Sequence, residues 1–322
     1  MINELKNFVE NDVSGCKVLV IGDVMLDKYY LGEVTRISPE APVPITRVTE
    51  IRETLGGAAN VAHNLALLGC KTSIIASIGH DNHGEKLLRT LKNRGVDYSG
   101  VIETSKPTTT KIRVISGHQQ MIRLDFEDSA EIFGSDEDIL LEKIFSRIES
   151  VDAVIISDYG KGVCTERICG EIIKSCRLHK KIVAIDPKGD DWRKYSGASY
   201  ITPNLKEFNA VLTKKIKNSD DEIENAARKV INEFNLSGLL VTRSAKGLSL
   251  IDGGKISHIK ARAQEVFDVS GAGDTVIAVF ALGMAGKLDS ASAAYLANAA
   301  AGVVVAKVGT YAVSRDELLI AI

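Results

Sequence analysis

From Lys17 onward the chain alternates short runs of β-branched residues with longer stretches of helical periodicity. This alternation confines it to an α/β architecture, a doubly wound and mainly parallel sheet flanked by helices. The runs at 18–21, 73–76, 153–156, 182–185 and 238–241 are apolar apart from Ser73, as suits strands covered on both faces. Helices are expected over 57–68, 85–93, 137–148, 165–176, 222–234, 272–285 and 290–305. Two segments break the rhythm. Residues 29–54 hold three prolines among alternating Val, Ile and Thr, and 108–127 read TTTKIRVISGHQQMIRLDFE. Both are extended and lack crossover helices, and the first is flanked by βα units, so it is an excursion from the sheet. The expected organisation is one domain over 1–322 with a small β-lobe built from about 29–54 and 108–127. Ligands of open parallel sheets bind beyond the carboxyl ends of the strands, where such a lobe forms a lid.

The bulk numbers exclude several classes. Hydrophobic residues make up 45% of 322 and charged residues 25%, with 27 Gly and 6 Pro, which suits a globular core and excludes collagen-like or disordered chains. A net charge of −2 gives no bulk attraction to nucleic acid or an anionic membrane, so neither is expected as a partner. The five cysteines form no CxxC pair and are odd in number, so reduced, buried thiols are expected in place of a disulfide framework or zinc knuckle. No stretch reaches the roughly 18 apolar residues of a membrane span and the N-terminus has no apolar signal core, so a cytoplasmic location is expected.

The chemistry concentrates in Phe267-Asp268-Val269-Ser270-Gly271-Ala272-Gly273-Asp274-Thr275, followed at once by the apolar helix VIAVFALGMAG. Small residues at 270–273 permit close backbone approach, and their N–H groups emerge from a helix N-terminus, which is an anion site. Asp274 falls in the first turn, beside the same anion, where it can take a hydroxyl proton. On these residues alone, a tight turn with a dipole-favoured acid carries about equal weight. No GxxxxGK[ST] occurs, and the first strand ends in Gly22-Asp23 without GxGxxG, so two other phosphate motifs are excluded.

The segment Asp-Val-Ser-Gly-Ala-Gly-Asp resembles the C-terminal signature of the ribokinase-like (PfkB) carbohydrate kinases. Three further elements are similar to that family and fall in family order: Gly22-Asp23, Gly56-Gly57-Ala58-Ala59-Asn60, and Asn204-Leu205-Lys206-Glu207. The resemblance implies a ribokinase-like fold using ATP and Mg²⁺, with Asp274 as catalytic base and Gly271, Ala272 and Gly273 as its anion hole. It nominates Asp23 for sugar hydroxyls with Asp27 as a weaker partner, and Gly56, Gly57 and Asn60 for substrate. Asn204, Leu205, Lys206 and Glu207 are implied on the Mg²⁺–phosphate side, Glu207 acting through water. Read locally, Asn204 and Glu207 also form a capping box. Thr242 and Gly247 are implied at the nucleotide, Asn298 at adenine or in helix packing, and Asp268 as an organising carboxylate near a cation.

The segments 37–44, 119–127, 157–162 and 186–189 resemble the heptose-phosphate kinase branch, which phosphorylates D-glycero-β-D-manno-heptose 7-phosphate at O1 on the route to ADP-heptose and lipopolysaccharide core. Arg113, Arg123, Lys161 and Lys188 are the cations to match a phosphorylated acceptor, with solvated surface charge as the competing reading. Many branch members carry a C-terminal nucleotidyltransferase with a His-x-Gly-His site; these 322 residues hold none, so the kinase step alone is expected. Kinases of ribose, fructose phosphate or a nucleoside, and a non-catalytic sugar or nucleotide sensor, remain the alternatives. An alternating lid sheet predicts a homodimer through 29–54. His80-x-x-His83 is read as non-metal, Cys164, Cys169 and Cys176 as core, and 135–138 as a helix start.

Overall fold

The computed structural model describes residues 1–117, 119–262, 266–307 and 309–322. Its strands in chain order begin with β1 (Lys17–Gly22), β2 (Val24–Ile37), β3 (Pro44–Gly57), β4 (Lys71–Ile75), β5 (Ser77–Gly79), β6 (Ile102–Thr104), β7 (Thr110–Ser116) and β8 (Gln119–Phe126). They continue as β9 (Ala153–Ser157), β10 (Ile182–Asp186), β11 (Tyr200–Ile201), β12 (Gly238–Thr242), β13 (Leu248–Asp252) and β14 (Lys255–Ile259). The main sheet has eight strands in the order β14-β13-β12-β11-β10-β9-β1-β4, parallel from β4 to β12 and antiparallel at β13 and β14. Four expected strands are central and buried on both faces, which is why their sequences are unbroken apolar runs.

Helices α1 (Ile2–Asn7), α2 (Ala58–Leu68), α3 (Asn82–Asn93), α8 (Ala272–Ala285), α9 (Ser290–Val304) and α10 (Arg315–Ala321) contribute to one core. Helices α4 (Ser135–Ile148), α5 (Glu166–Leu178), α6 (Leu205–Val211) and α7 (Asp220–Glu233) form the other. Successive β1 residues feed opposite cores: Val18 and Val20 join α2 and α8, Leu19 and Ile21 join α4 and α5. Helix α8 is buried from Asp274 to Gly283, as its uniformly apolar sequence requires.

A separate four-stranded sheet, ordered β3-β2-β7-β8, accounts for both irregular segments. Only one residue, Asp23, separates β2 from β1, and β2 is buried over Val24–Asp27 before it emerges. No helix of the described residues is long and apolar enough to cross a membrane.

Candidate active site

The carboxyl ends of β1, β9, β10, β11 and β12 bring together Asp23, Tyr159, Asp186, Asn204 and Thr242, and α8 begins beside them. Gly271 caps α8 in the left-handed region at φ 78°, and a Cβ there would come within 2.9 Å of Asn60 Nδ2. Glycine alone meets both demands. The amides of Gly271, Gly273 and Asp274 have no acceptor among the described residues. Gly273 is exposed, and a side chain there would meet nothing within 4 Å. Bare amides at a helix N-terminus, facing open space, can hold a phosphate or another anion.

Asp274, next in the chain, is only 3% exposed. Its Oδ2 accepts from Asn60 Nδ2 and its Oδ1 from Tyr159 Oη, each at 2.7 Å. Asn60 is held in turn by α2 itself: Asn64 donates to its carbonyl at 3.0 Å and accepts from Thr275 on α8 at 3.1 Å. Burial pushes the Asp274 carboxyl up to about 6, with Asp27 adding to the rise and Asn60 and Tyr159 opposing it. A buried carboxylate in that range can act as a general base near neutral pH.

Beyond Asp274 lies the four-stranded sheet. Asp27, nearly buried, pairs with Arg113 Nη1 at 2.5 Å, and Arg113 stacks over Tyr29 at 5.3 Å from the ring centroid. A Cβ on Gly56 would lie 2.4 Å from Asp27 Oδ2, so the bare glycine makes room for that carboxylate. Cross-strand register sets Arg52, Tyr29, Arg113 and Arg123 in one row and Thr54, Asp27, Lys111 and Asp125 in the next, on the same face. Arg123 grips Asp125 through two hydrogen bonds of 2.7 and 2.6 Å. Lys161 bonds Glu127 at 2.8 Å. Lys111 has no ion-pair partner within 4 Å among the described residues, and burial, then Arg123, hold its ammonium below the ordinary range.

On the opposite side, Asn204 caps α6 in a full capping box with Glu207: its Oδ1 accepts from the amides of Lys206 and Glu207, and Glu207 accepts from Asn204 N at 2.9 Å. Leu205 opens that helix, and Asn204 bridges to Thr242. Burial raises the Glu207 carboxyl, and Asp186 is raised well above its ordinary value by burial and then by Asp274 and Glu207. Asp268 accepts from the amides of Ser270 and Gly309, which hold its carboxyl down against its burial.

This constellation coincides with a family match: residues 16–317 fit the description "pfkB family carbohydrate kinase". The chain belongs to the pfkB family of carbohydrate kinases. Among curated relatives, it is 46% identical over 303 residues to the bifunctional protein HldE of Haemophilus ducreyi, covering 94% of this chain and 62% of that protein. The HldE of Shewanella amazonensis is 45% identical over 304 residues, covering 94% and 63%. The chain thus spans less than two thirds of the length of these relatives. Among solved structures, Arabidopsis thaliana ribokinase complexed with ribose and ATP superposes with a TM-score of 0.76 at 21% identity, covering 95% of this chain and 98% of that one. Escherichia coli phosphofructokinase-2 in complex with potassium gives 0.77 at 18%, covering 95% and 97%. The ribokinase-like fold expected from the sequence is the fold observed.

Within this pfkB-family chain several expected placements change. Asp23 is not free to clamp a sugar: it is 2% exposed, and its carboxylate accepts from the amides of Tyr159, Lys161 and Val163 at 2.9, 2.8 and 3.0 Å. Asp27, ranked second, is the carboxylate that faces the lid arginines. Asn60 gives its amide to Asp274, where a substrate contact was expected. Gly57 starts α2 at φ 57°, and a Cβ there would sit 2.4 Å from the Asp23 carbonyl. Lys188, grouped in the sequence with the lid cations, is exposed near Asp186 and Glu207, whose charges it offsets. Gly247 leaves no room for a side chain beside the Ile259 carbonyl, and Asn298 donates to the Lys260 carbonyl at 2.8 Å, so both hold structure locally.

Tyr159 and Asp186 lie in segments singled out from the sequence (157–162 and 186–189) but were given no role there, and Lys111 escaped the sequence reading; for Lys111 the signal was its place two residues before Arg113, on one face of a strand. Asp23, Asp158 and Cys164 converge within 4.8 Å, but Asp23 is filled by amides, and Lys194 at 2.5 Å and Tyr195 at 2.6 Å occupy Asp158. His80 pairs with Glu103 and His83 with Thr110, so they share no ligand. All five cysteines are free and buried.

Proposed function

We propose that this chain transfers the γ-phosphoryl group of ATP to O1 of D-glycero-β-D-manno-heptose 7-phosphate, the kinase step towards ADP-heptose and lipopolysaccharide core. The observation that carries a phosphotransfer reading is the pairing of the exposed Gly273 amide with the buried Asp274 carboxylate in one helical turn. The amides of 271–274 stabilise charge developing on the transferred phosphate, while Asp274 removes the proton of the attacking hydroxyl. The heptose 7-phosphate acceptor is supported by the segments similar to that branch and by the likeness to HldE proteins.

Asp27 accepts sugar hydroxyls, and the cations of the two adjacent rows, Arg113 and Arg123 in one and Lys111 in the next, with Lys161 nearby, meet the acceptor's own phosphate. Asn204 and Thr242, bridged to each other, border the nucleotide. Mg²⁺ fits the opposite wall: Asp186 and Glu207 are crowded carboxylates whose repulsion Lys188 only partly offsets, and Glu207 would hold the ion through water while it screens the phosphates. Asp268 ties the 268–270 turn to Gly309, which lies beside Tyr29 of the lid, and so shapes the lid side of the cleft.

The sheet of β2, β3, β7 and β8 acts as a lid within a single domain spanning 1–322. Its outer face carries an apolar cross-strand row, Ile51, Tyr30, Val114 and Ile122, with Leu124 and Phe126 exposed beside it. Such a face suits a second copy of the chain, hence a homodimer through the lid. ATP as donor and five reduced cysteines suit the cytoplasm.

Coupled ADP release across heptose 7-phosphate, fructose 6-phosphate, ribose and adenosine tests the acceptor. Turnover of heptose 7-phosphate far above the others is expected; robust turnover of ribose with none of the heptose phosphate rejects the assignment. No turnover of any sugar, with ATP still bound, would favour a sensor.

A further inference from the structure

The turn after β9 links two carboxylates, Asp23 and Asp274. The turn after β9 is held by Asp23, whose Oδ2 accepts from Tyr159 N and Lys161 N and whose Oδ1 accepts from Val163 N. That same turn delivers Tyr159 Oη to Asp274 Oδ1 at 2.7 Å. The Tyr159 ring also abuts the start of α2, where a Cβ on Gly57 would lie 3.4 Å from Cδ2.

We propose that Tyr159 is a positioning residue for the catalytic base, and that Asp23 acts through it by fixing the turn that carries it. A carboxylate on a single bond can rotate, and one donor on each oxygen fixes its plane. Asn60 holds Oδ2 from α2 and Tyr159 holds Oδ1 from the β9 turn. Each oxygen keeps a lone pair for an acceptor hydroxyl. The phenol donates without competing for the proton, because burial and then Asp274 keep its own ionisation far above the ordinary range. The other charged groups around Asp274 are Asp27 from the lid, Asp186 at the end of β10 and Glu207 on α6, with Arg113 and Lys188 beside them. Burial disfavours a charge on Asp274 and Asp27 adds to that, so the Asn60 and Tyr159 donors are what oppose its protonation. This accounts for a buried carboxylate directly after the first strand whose partners are three amides of the turn.

The inference rests on Asp274 as base, and the test separates the two. In Tyr159→Phe the ring is kept and only the hydroxyl is lost. The ¹³C carboxyl resonance of Asp274 is followed against pH without substrates, and the acid limb of kcat/KM is recorded in parallel. Losing a hydrogen bond to a buried carboxylate is expected to raise both midpoints by about one unit or more, and to leave KM for ATP within about twofold. Asp23→Asn, which loosens the turn but retains the hydroxyl, is expected to move the midpoint in the same direction, and to move it no further when added to Tyr159→Phe. A midpoint unchanged in Tyr159→Phe overturns the proposal even if the variant melts lower. Additive shifts in the double variant overturn the part given to Asp23. A resonance that moves while the rate profile stays put removes Asp274 from catalysis, and the positioning role falls with it.

Discussion

Replacing Asp274 by Asn separates two consequences of burying one carboxylate. Burial lifts its pKa from 3.8 to about 6, a gap of about 2 units or about 3 kcal/mol between protonation states. The folded protein then binds this proton more tightly than the unfolded chain does. Stability therefore falls as pH rises through that window, and the full penalty stands above the folded value. Asn keeps the shape: its oxygen accepts from Asn60 and its NH₂ donates to the Tyr159 hydroxyl. The stability of Asp274→Asn relative to the parent is expected to grow by about 2–3 kcal/mol between about pH 4 and pH 8, with other titrating groups cancelling in the difference. At pH 8 this corresponds to a melting temperature roughly 4 °C higher for a chain of this size. Turnover should fall by about 10²–10⁴, the range for loss of a general base. Urea and thermal unfolding across that pH range, with ADP release on the same samples, give both numbers. A stability difference that does not vary with pH would refute the burial argument, and retained turnover would refute the chemistry.

Other perturbations probe the surrounding parts. Lys111→Met keeps the apolar stem and loses the charge, so KM for a phosphorylated sugar should rise by about 10–100-fold with KM for ATP little changed; equal effects on both would contradict a phosphate role. Gly22→Ala would set a methyl 2.0 Å from the Ser157 carbonyl on β9, so a loss of about 3 kcal/mol or more is expected in urea unfolding, and an unchanged midpoint would contradict the packing. Ile122→Glu places charge in the apolar row of the lid and should shift sedimentation from dimer to monomer at micromolar concentration; an unchanged profile would move the contact elsewhere.

The central sheet was legible because burial on both faces keeps polar residues out of its strand interiors: β1, β9, β10 and β12 match the apolar runs to within a residue or two, with polar residues only at their ends. The two-residue β11 is too short to carry a pattern, and the β13–β14 hairpin shows itself only through Asp252-Gly253-Gly254-Lys255. Helix α8 was readable to its first residue because the small-residue turn and the apolar run meet there. The roles of Asp23 and Asp27 were not, because the amides that engage Asp23 come from 136 to 140 residues further along the chain. Tyr159 lay hidden for the same reason: its partner Asp274 is 115 residues away, and no local spacing encodes the pair.

Strand β2 leaves the core immediately after β1 and carries Asp27 at the point where it emerges, whereas the turn proposed to hold the anion and the proposed base belong to the buried α8. The residues that would read the acceptor and those that would handle the donor thus sit on separate pieces of scaffold. A changed appetite for sugars could evolve, or be engineered, by rewriting one face of a four-stranded sheet, without disturbing a single atom of the helix where the phosphate changes hands.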